Sequence, residues 1–79
     1  MRIDKFLKVS RVIKRRALAN EACVGGRVKI NGKSVKPAAE VKEGDLVEIS
    51  FGSGIVSFTV NSVSDRASKN DAAQMYTLK

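Results

Sequence analysis

Eleven Lys or Arg stand in the first 36 residues against two acids, whereas the remaining 43 residues hold four against six. The balance is +9 at one end and −2 at the other, which together make the net charge of +7. The chemistry open to such a set is capture of a polyanion, because each cation can neutralise a phosphate and release its counterion. A solvated basic surface that only serves solubility is the plain alternative. Spacing argues for the first. Arg2, Lys5 and Lys8 recur every third residue, Lys14, Arg15 and Arg16 are consecutive, and Arg27, Lys29 and Lys36 surround an Asn-Gly pair.

Other chemistries lack parts. Histidine is absent and Cys23 is the single cysteine, so the usual zinc sites and imidazole acid–base schemes have no residues to use. The eight acids are scattered, with no Gly-rich phosphate loop and no nucleophile elbow. The chain is expected not to be an enzyme and to need no cofactor. One cysteine cannot form an internal disulfide, and no segment approaches the ~20 apolar residues of a membrane span, so a cytoplasmic protein is expected. The length of 79 residues suits one small domain.

The elements that must position these cations follow from periodicity. Ile3, Phe6 and Leu7 stand at i, i+3, i+4, the apolar stripe of a short helix over residues 3–9. Ser10, Arg11 and Val12 connect it to a second helix, expected from Lys14 to Val24 and dense in good helix formers. Gly25 and Gly26 stop that helix. Next, Asn31-Gly32 sits between alternating segments and predicts a hairpin that pairs Ile30 with Lys33, Val28 with Val35 and Arg27 with Lys36. Its wet face would carry Arg27, Lys29 and Lys36, with like charges opposed across the strands. Further strands are expected from Leu46 to Phe51, from Ile55 to Val63 and near Gln74 to Leu78, with a polar loop from Ser64 to Asp71. Phe6, Phe51 and Phe58 fall on apolar faces. Tyr76 either closes the sheet or stacks on a base. Cys23 reads as a buried, inert thiol.

Lys14, Arg15 and Arg16 fall at the expected start of the second helix, where the macrodipole is already positive and each cation costs about 0.3–1 kcal/mol. A phosphate docked there would turn that cost into attraction.

The order Arg2-Ile3-Asp4-x-x-Leu7, Arg16-x-x-Ala19, Gly26-x-Val28-x-Ile30-Asn31-Gly32 and Gly44-Asp45-x-Val47 resembles the alpha-L RNA-binding domain, the module named for ribosomal small-subunit protein S-four. The resemblance covers about residues 1–50, with residues 51–79 expected to complete the sheet. It implies an α+β fold, two N-terminal helices packed on a small, mainly antiparallel sheet. It also places Arg2, Asp4, Lys5, Arg16, Lys29 and Asn31 on or near positions associated with RNA contact; Lys8, Arg11, Lys14, Arg15, Arg27 and Lys36 join them by charge. Asp4 could equally favour the first helix or orient Arg16, and Asn31 could serve only its turn. Lys14 and Arg15 depart from the family, many members of which carry Ser or Thr near that helix start.

Lys5 to Arg11, Ile13 to Arg16 and Met75-Tyr76-Thr77 extend the likeness to bacterial members that act in ribosome-associated quality control. The partners so implied are large-subunit rRNA and tRNA on large ribosomal subunits obstructed by peptidyl-tRNA, together with a factor that tails the stalled nascent chain. A monomer is expected. A ribosome-assembly factor or general RNA chaperone would use the same residues, and a basic membrane-surface or protein adaptor is the remote alternative.

Overall fold

The computed structural model describes residues 1–63, 72 and 74–79. Ile3, Phe6 and Leu7 share one side of helix α1 (Ile3–Val9) and are fully buried. Each such side chain withdrawn from water contributes about 1.5–3 kcal/mol. Helix α2 (Arg16–Val24) packs on α1 and buries Ala19, Ala22 and Cys23. It starts two residues later than its composition suggests, with Lys14 outside it and Arg15 extended at the capping position (φ −122°, ψ 133°). Lys and Arg favour helix wherever they stand, so a run of them carries no start signal, and no side chain caps this end. The other end is as expected. Gly26 has φ +75°, its N–H donates to the Cys23 carbonyl at 3.0 Å, and the Arg27 N–H donates to the Ala22 carbonyl at 2.9 Å. This is the paired ending that a left-handed glycine permits.

Strands β1 (Val28–Ile30), β2 (Lys33–Ser34), β3 (Leu46–Phe51), β4 (Gly54–Val60) and β5 (Tyr76–Leu78) form one antiparallel sheet in the order β2-β1-β3-β4-β5. Asn31 (φ 52°) and Gly32 (φ 85°) make the tight turn between β1 and β2, and Ile30 faces Lys33 as the alternation requires. The Val35 N–H continues that register by donating to the Val28 carbonyl at 3.1 Å. Strand β2 nevertheless stops at Ser34, so the expected Arg27–Lys36 strand pair does not form. Lys29 meets Ser34 on one side and Glu48 of β3 on the other. An acid therefore offsets the hairpin cation that was expected to face repulsion.

Val47 and Ile49 of β3 and Phe58 and Val60 of β4 are buried against the helices. Phe58 joins the layers, its ring lying 6.1 Å from Phe6 with an interplanar angle of 20° and 5.2 Å from Tyr76. Phe51 departs from expectation at 43% exposed, because it pairs with Gly54 at the end of the β3–β4 hairpin, beyond the core. Strand β4 ends at Val60, which leaves Val63 outside it, and β5 begins at Tyr76 rather than Gln74. The loop expected over residues 64–71 lies outside the described residues. The chain between β2 and β3 returns to the start of α1: the Ile3 N–H donates to the Ala39 carbonyl at 2.8 Å and the Val41 N–H to the Met1 carbonyl at 2.9 Å, with Arg2 and Glu40 bridged between them. Among the described residues, no helix is long and apolar enough to cross a membrane.

Candidate nucleic-acid interface

Asp4 is 2% exposed in the first turn of α1, where a lone carboxylate would be expensive to desolvate. It is not alone. Its Oδ1 accepts the Lys5 backbone N–H at 2.8 Å and the Arg2 Nε–H at 3.2 Å, while its Oδ2 accepts Arg2 Nη2 at 3.1 Å and Arg16 Nε at 3.5 Å. Burial is the largest influence on this carboxyl and pushes its pKa up, but the Lys5 N–H, the Arg16 hydrogen bond and the charges of Arg16 and Arg2 together outweigh it. The pKa is held below the ordinary value of 3.8, and Asp4 is ionised at neutral pH.

The consequence for the surface is geometric. Arg2 arrives from the segment bridged to Glu40 and Arg16 from the first position of α2, and the shared carboxylate fixes both while leaving their side chains 46% and 48% exposed. Two planar forks carrying two positive charges against one negative remain available to an anion. One shallow hollow beside them is lined by Arg2, Asp4, Arg16, Ala17, Asn20 and Glu21, and a second by Met1, Arg2, Lys5, Arg16 and Val63. The pair of arginines divides them.

The hollows thus unite Arg2, Asp4, Lys5 and Arg16 of the residues singled out by sequence. Lys8, Arg11, Lys14 and Arg15 are exposed at the end of α1 and along the connection to α2. Among the described residues none of these four has an acid within ion-pair distance. Arg27, Lys29 and Lys36 are exposed at the sheet end of the molecule and line neither hollow. The side chain of Asn31 is engaged within the fold: its Nδ2 donates to Asp45 Oδ1 at 3.1 Å and its Oδ1 accepts the Leu46 N–H at 3.0 Å. Asp45 in turn accepts the Lys42 N–H at 2.9 Å, so the hairpin turn is clamped to the start of β3. Asp4, equally, acts on the surface through the arginines it holds. Ala17, Asn20 and Glu21 were not singled out; the i, i+4 relation of Arg16 to Asn20 is the sequence signal that connects them. Cys23 is 3% exposed, and burial first and the Asp4 charge second push its thiol up to about 11.

Residues 1–47 match the S4 domain family model. The chain is 50% identical over 78 residues to the RQC P-site tRNA stabilizing factor of Bacillus subtilis, a match covering 99% of this chain and 91% of that protein. It is 47% identical over 79 residues to the protein of the same name from Halalkalibacterium halodurans, covering 100% and 90% of the two chains. Among solved structures, the trimeric Vibrio cholerae Heat Shock Protein 15 superposes with a TM-score of 0.90 at 31% identity, covering all of this chain and 81% of that one. The fold agrees with the structural match, and the chain belongs to the S4 domain family and, within it, to the family of the RQC P-site tRNA stabilizing factors.

Proposed function

We propose that this chain is a non-catalytic RNA-binding factor of ribosome-associated quality control. It acts in the cytoplasm as a monomer on large ribosomal subunits obstructed by peptidyl-tRNA, where it contacts large-subunit rRNA and the tRNA and so supports C-terminal tailing of the stalled chain by a factor on the same subunit. The observation that carries this reading is the buried Asp4 carboxylate presenting two half-exposed guanidiniums, joined to relatives of 46–50% identity that are named for stabilising P-site tRNA. The mechanism requires no bond to be made or broken. Phosphate contacts at Arg2 and Arg16, extended by Lys5, Lys8, Arg11, Lys14 and Arg15, lower the free energy of one tRNA position relative to others. Few aromatics are free to stack, so backbone and shape dominate recognition.

The test is sedimentation of the tagged chain through sucrose in lysates with stalled translation. The parent is expected with free large subunits and an Arg2→Ala/Arg16→Ala variant at the top of the gradient; exclusive migration with small subunits would sink the proposal. A general RNA chaperone or ribosome-assembly factor, which would use the same cationic face without preferring tRNA-bearing subunits, is the second reading. Equal binding to subunits with and without tRNA would select it.

A further inference from the structure

Asn31-Gly32 carries a covalent chemistry beyond its turn geometry. Asparagine is a thermally labile residue, and a glycine after it puts no side chain in the way of ring closure. The Gly32 backbone nitrogen gives up its proton and attacks Asn31 Cγ; a C–N bond forms, the bond from Cγ to Nδ2 breaks, ammonia leaves and a succinimide remains. Water then opens the ring at either carbonyl. One opening gives aspartate, and the other gives isoaspartate, with the main chain rerouted through the former side chain. Water is the only co-reactant.

Access is not what the fold withholds. Both residues are exposed, and apart from its chain neighbours no atom lies within 4 Å of where a Cβ on Gly32 would stand. The fold restrains the amide itself. Asn31 Nδ2, the leaving group, donates to Asp45 Oδ1 at 3.1 Å, and Asn31 Oδ1 accepts the Leu46 N–H at 3.0 Å. The Asn31 N–H donates to the Leu46 carbonyl at 2.7 Å. While these bonds stand, Cγ is held toward the start of β3 and cannot swing over the Gly32 nitrogen. All three come from residues 14 and 15 positions further on, so the hairpin without β3 has none of them.

The product does not fit the place it came from. Aspartate at position 31 sets a carboxylate against Asp45 where a donor now lies at 3.1 Å. Lys33 is exposed nearby and attracts the new charge through water, but it does not replace the lost donor. Isoaspartate adds a carbon to the main chain of a two-residue turn that sets Ile30 opposite Lys33, and the register fails. Either product weakens the joint between the hairpin and β3.

We infer that Asn31-Gly32 is a latent deamidation site, silenced in the folded chain by the clamp to Asp45 and Leu46 and released whenever β3 is not in place beside the hairpin. It is independent of the RNA contacts proposed above.

The experiment ages the purified chain at mildly alkaline pH, folded and in guanidinium chloride, and measures aspartate and isoaspartate at position 31 by peptide mass spectrometry. Conversion in the folded parent should be at least ~10-fold slower than in denaturant, because the reaction must wait for local opening. Asp45→Ala, confirmed as folded by circular dichroism, should convert about 3–10-fold faster than the folded parent, the opening factor of one lost hydrogen bond. If Asp45→Ala does not fold, thermal melts of Asn31→Asp decide alongside the folded and denatured parent. That variant should melt roughly 8–16 °C lower than the parent. Adding Asp45→Asn, which again sets an amide against a carboxylate, should recover at least about half of the loss. Equal conversion in folded and denatured parent, parental conversion in folded Asp45→Ala, or an Asn31→Asp chain that melts with the parent would each overturn the inference.

Discussion

Replacing Asp4 by Asn probes how the site is held. The amide keeps the volume, and its oxygen can still accept the Lys5 N–H that now lies at 2.8 Å. What disappears is the charge that binds Arg2 through two hydrogen bonds and Arg16 through one. Because both arginine side chains are about half exposed, they hydrate when released and do not become buried orphan charges, so the ~3–5 kcal/mol of a broken buried pair does not apply. Two half-exposed pairs at about 0.5–1 kcal/mol each, with a similar amount for an amide N–H₂ placed where only donors converge, give a loss of roughly 1.5–3 kcal/mol. At about 4–8 °C per kcal/mol for a domain of this size, the melting temperature should fall by roughly 6–24 °C at pH 7. The pH dependence carries the sharper test. Asp4 has a lower pKa folded than unfolded, so its contribution is complete above the ordinary value of 3.8 and drains away as pH falls through the folded value. Circular dichroism melts from about pH 7 to 2.5 should show the gap between parent and variant closing only below about pH 4. A gap of the same size at both ends of the series would refute the assignment of Asp4 as the ionised centre of the site.

Asn31→Ala should cost about 2–4 kcal/mol, since it removes two hydrogen bonds to Asp45 and Leu46 and forces Ala to φ 52°, while Asn31→Gly should cost about half as much because only the bonds are lost. Urea titration of the pair measures the difference, and equal losses would remove the conformational part of the argument. Cys23, with its thiol pushed up to about 11 and 3% exposed, should react with a disulfide reagent at pH 8 at least ~100-fold more slowly in the native chain than in denaturant. Reaction at the free-thiol rate would show that the α2–core contact opens far more readily than its packing implies.

Local patterns proved readable and distant ones did not. The i, i+3, i+4 stripe of Ile3, Phe6 and Leu7 located α1 to the residue, and Asn31-Gly32 set the hairpin register, because both depend on neighbours in the chain. The start of α2 was misplaced by two residues for want of a capping side chain. Phe51 looked like core by alternation, yet alternation says which face a residue takes and not whether the core extends that far. Opposition of Lys29 and Glu48 depends on β3 joining β1 across 18 intervening residues, which no local pattern encodes. The site divides in the same way. Arg2-x-Asp4 suggests an ion pair on its own, whereas the third member, Arg16, is brought in only by the packing of α2 on α1. The clamp from Asn31 to Asp45 likewise appears only when β3 is placed beside the hairpin.

The stitching of residues 1–3 to residues 39–41 bears on when this molecule becomes competent during its synthesis. Asp4 and Arg16 are 12 residues apart and can meet as soon as the two helices dock. Arg2, however, is fixed by neighbours that bond to Ala39 and Val41, a closure of 36 residues or more. Tripling the loop adds about 1 kcal/mol of closure entropy, and the segment around Glu40 must first leave the ribosome that made it. Arg2 meets Asp4 two residues away, yet its backbone matures on a slower clock than that of Arg16: the latter is set in place by short-range collapse, and the former waits for the central loop to return and register against the start of the chain.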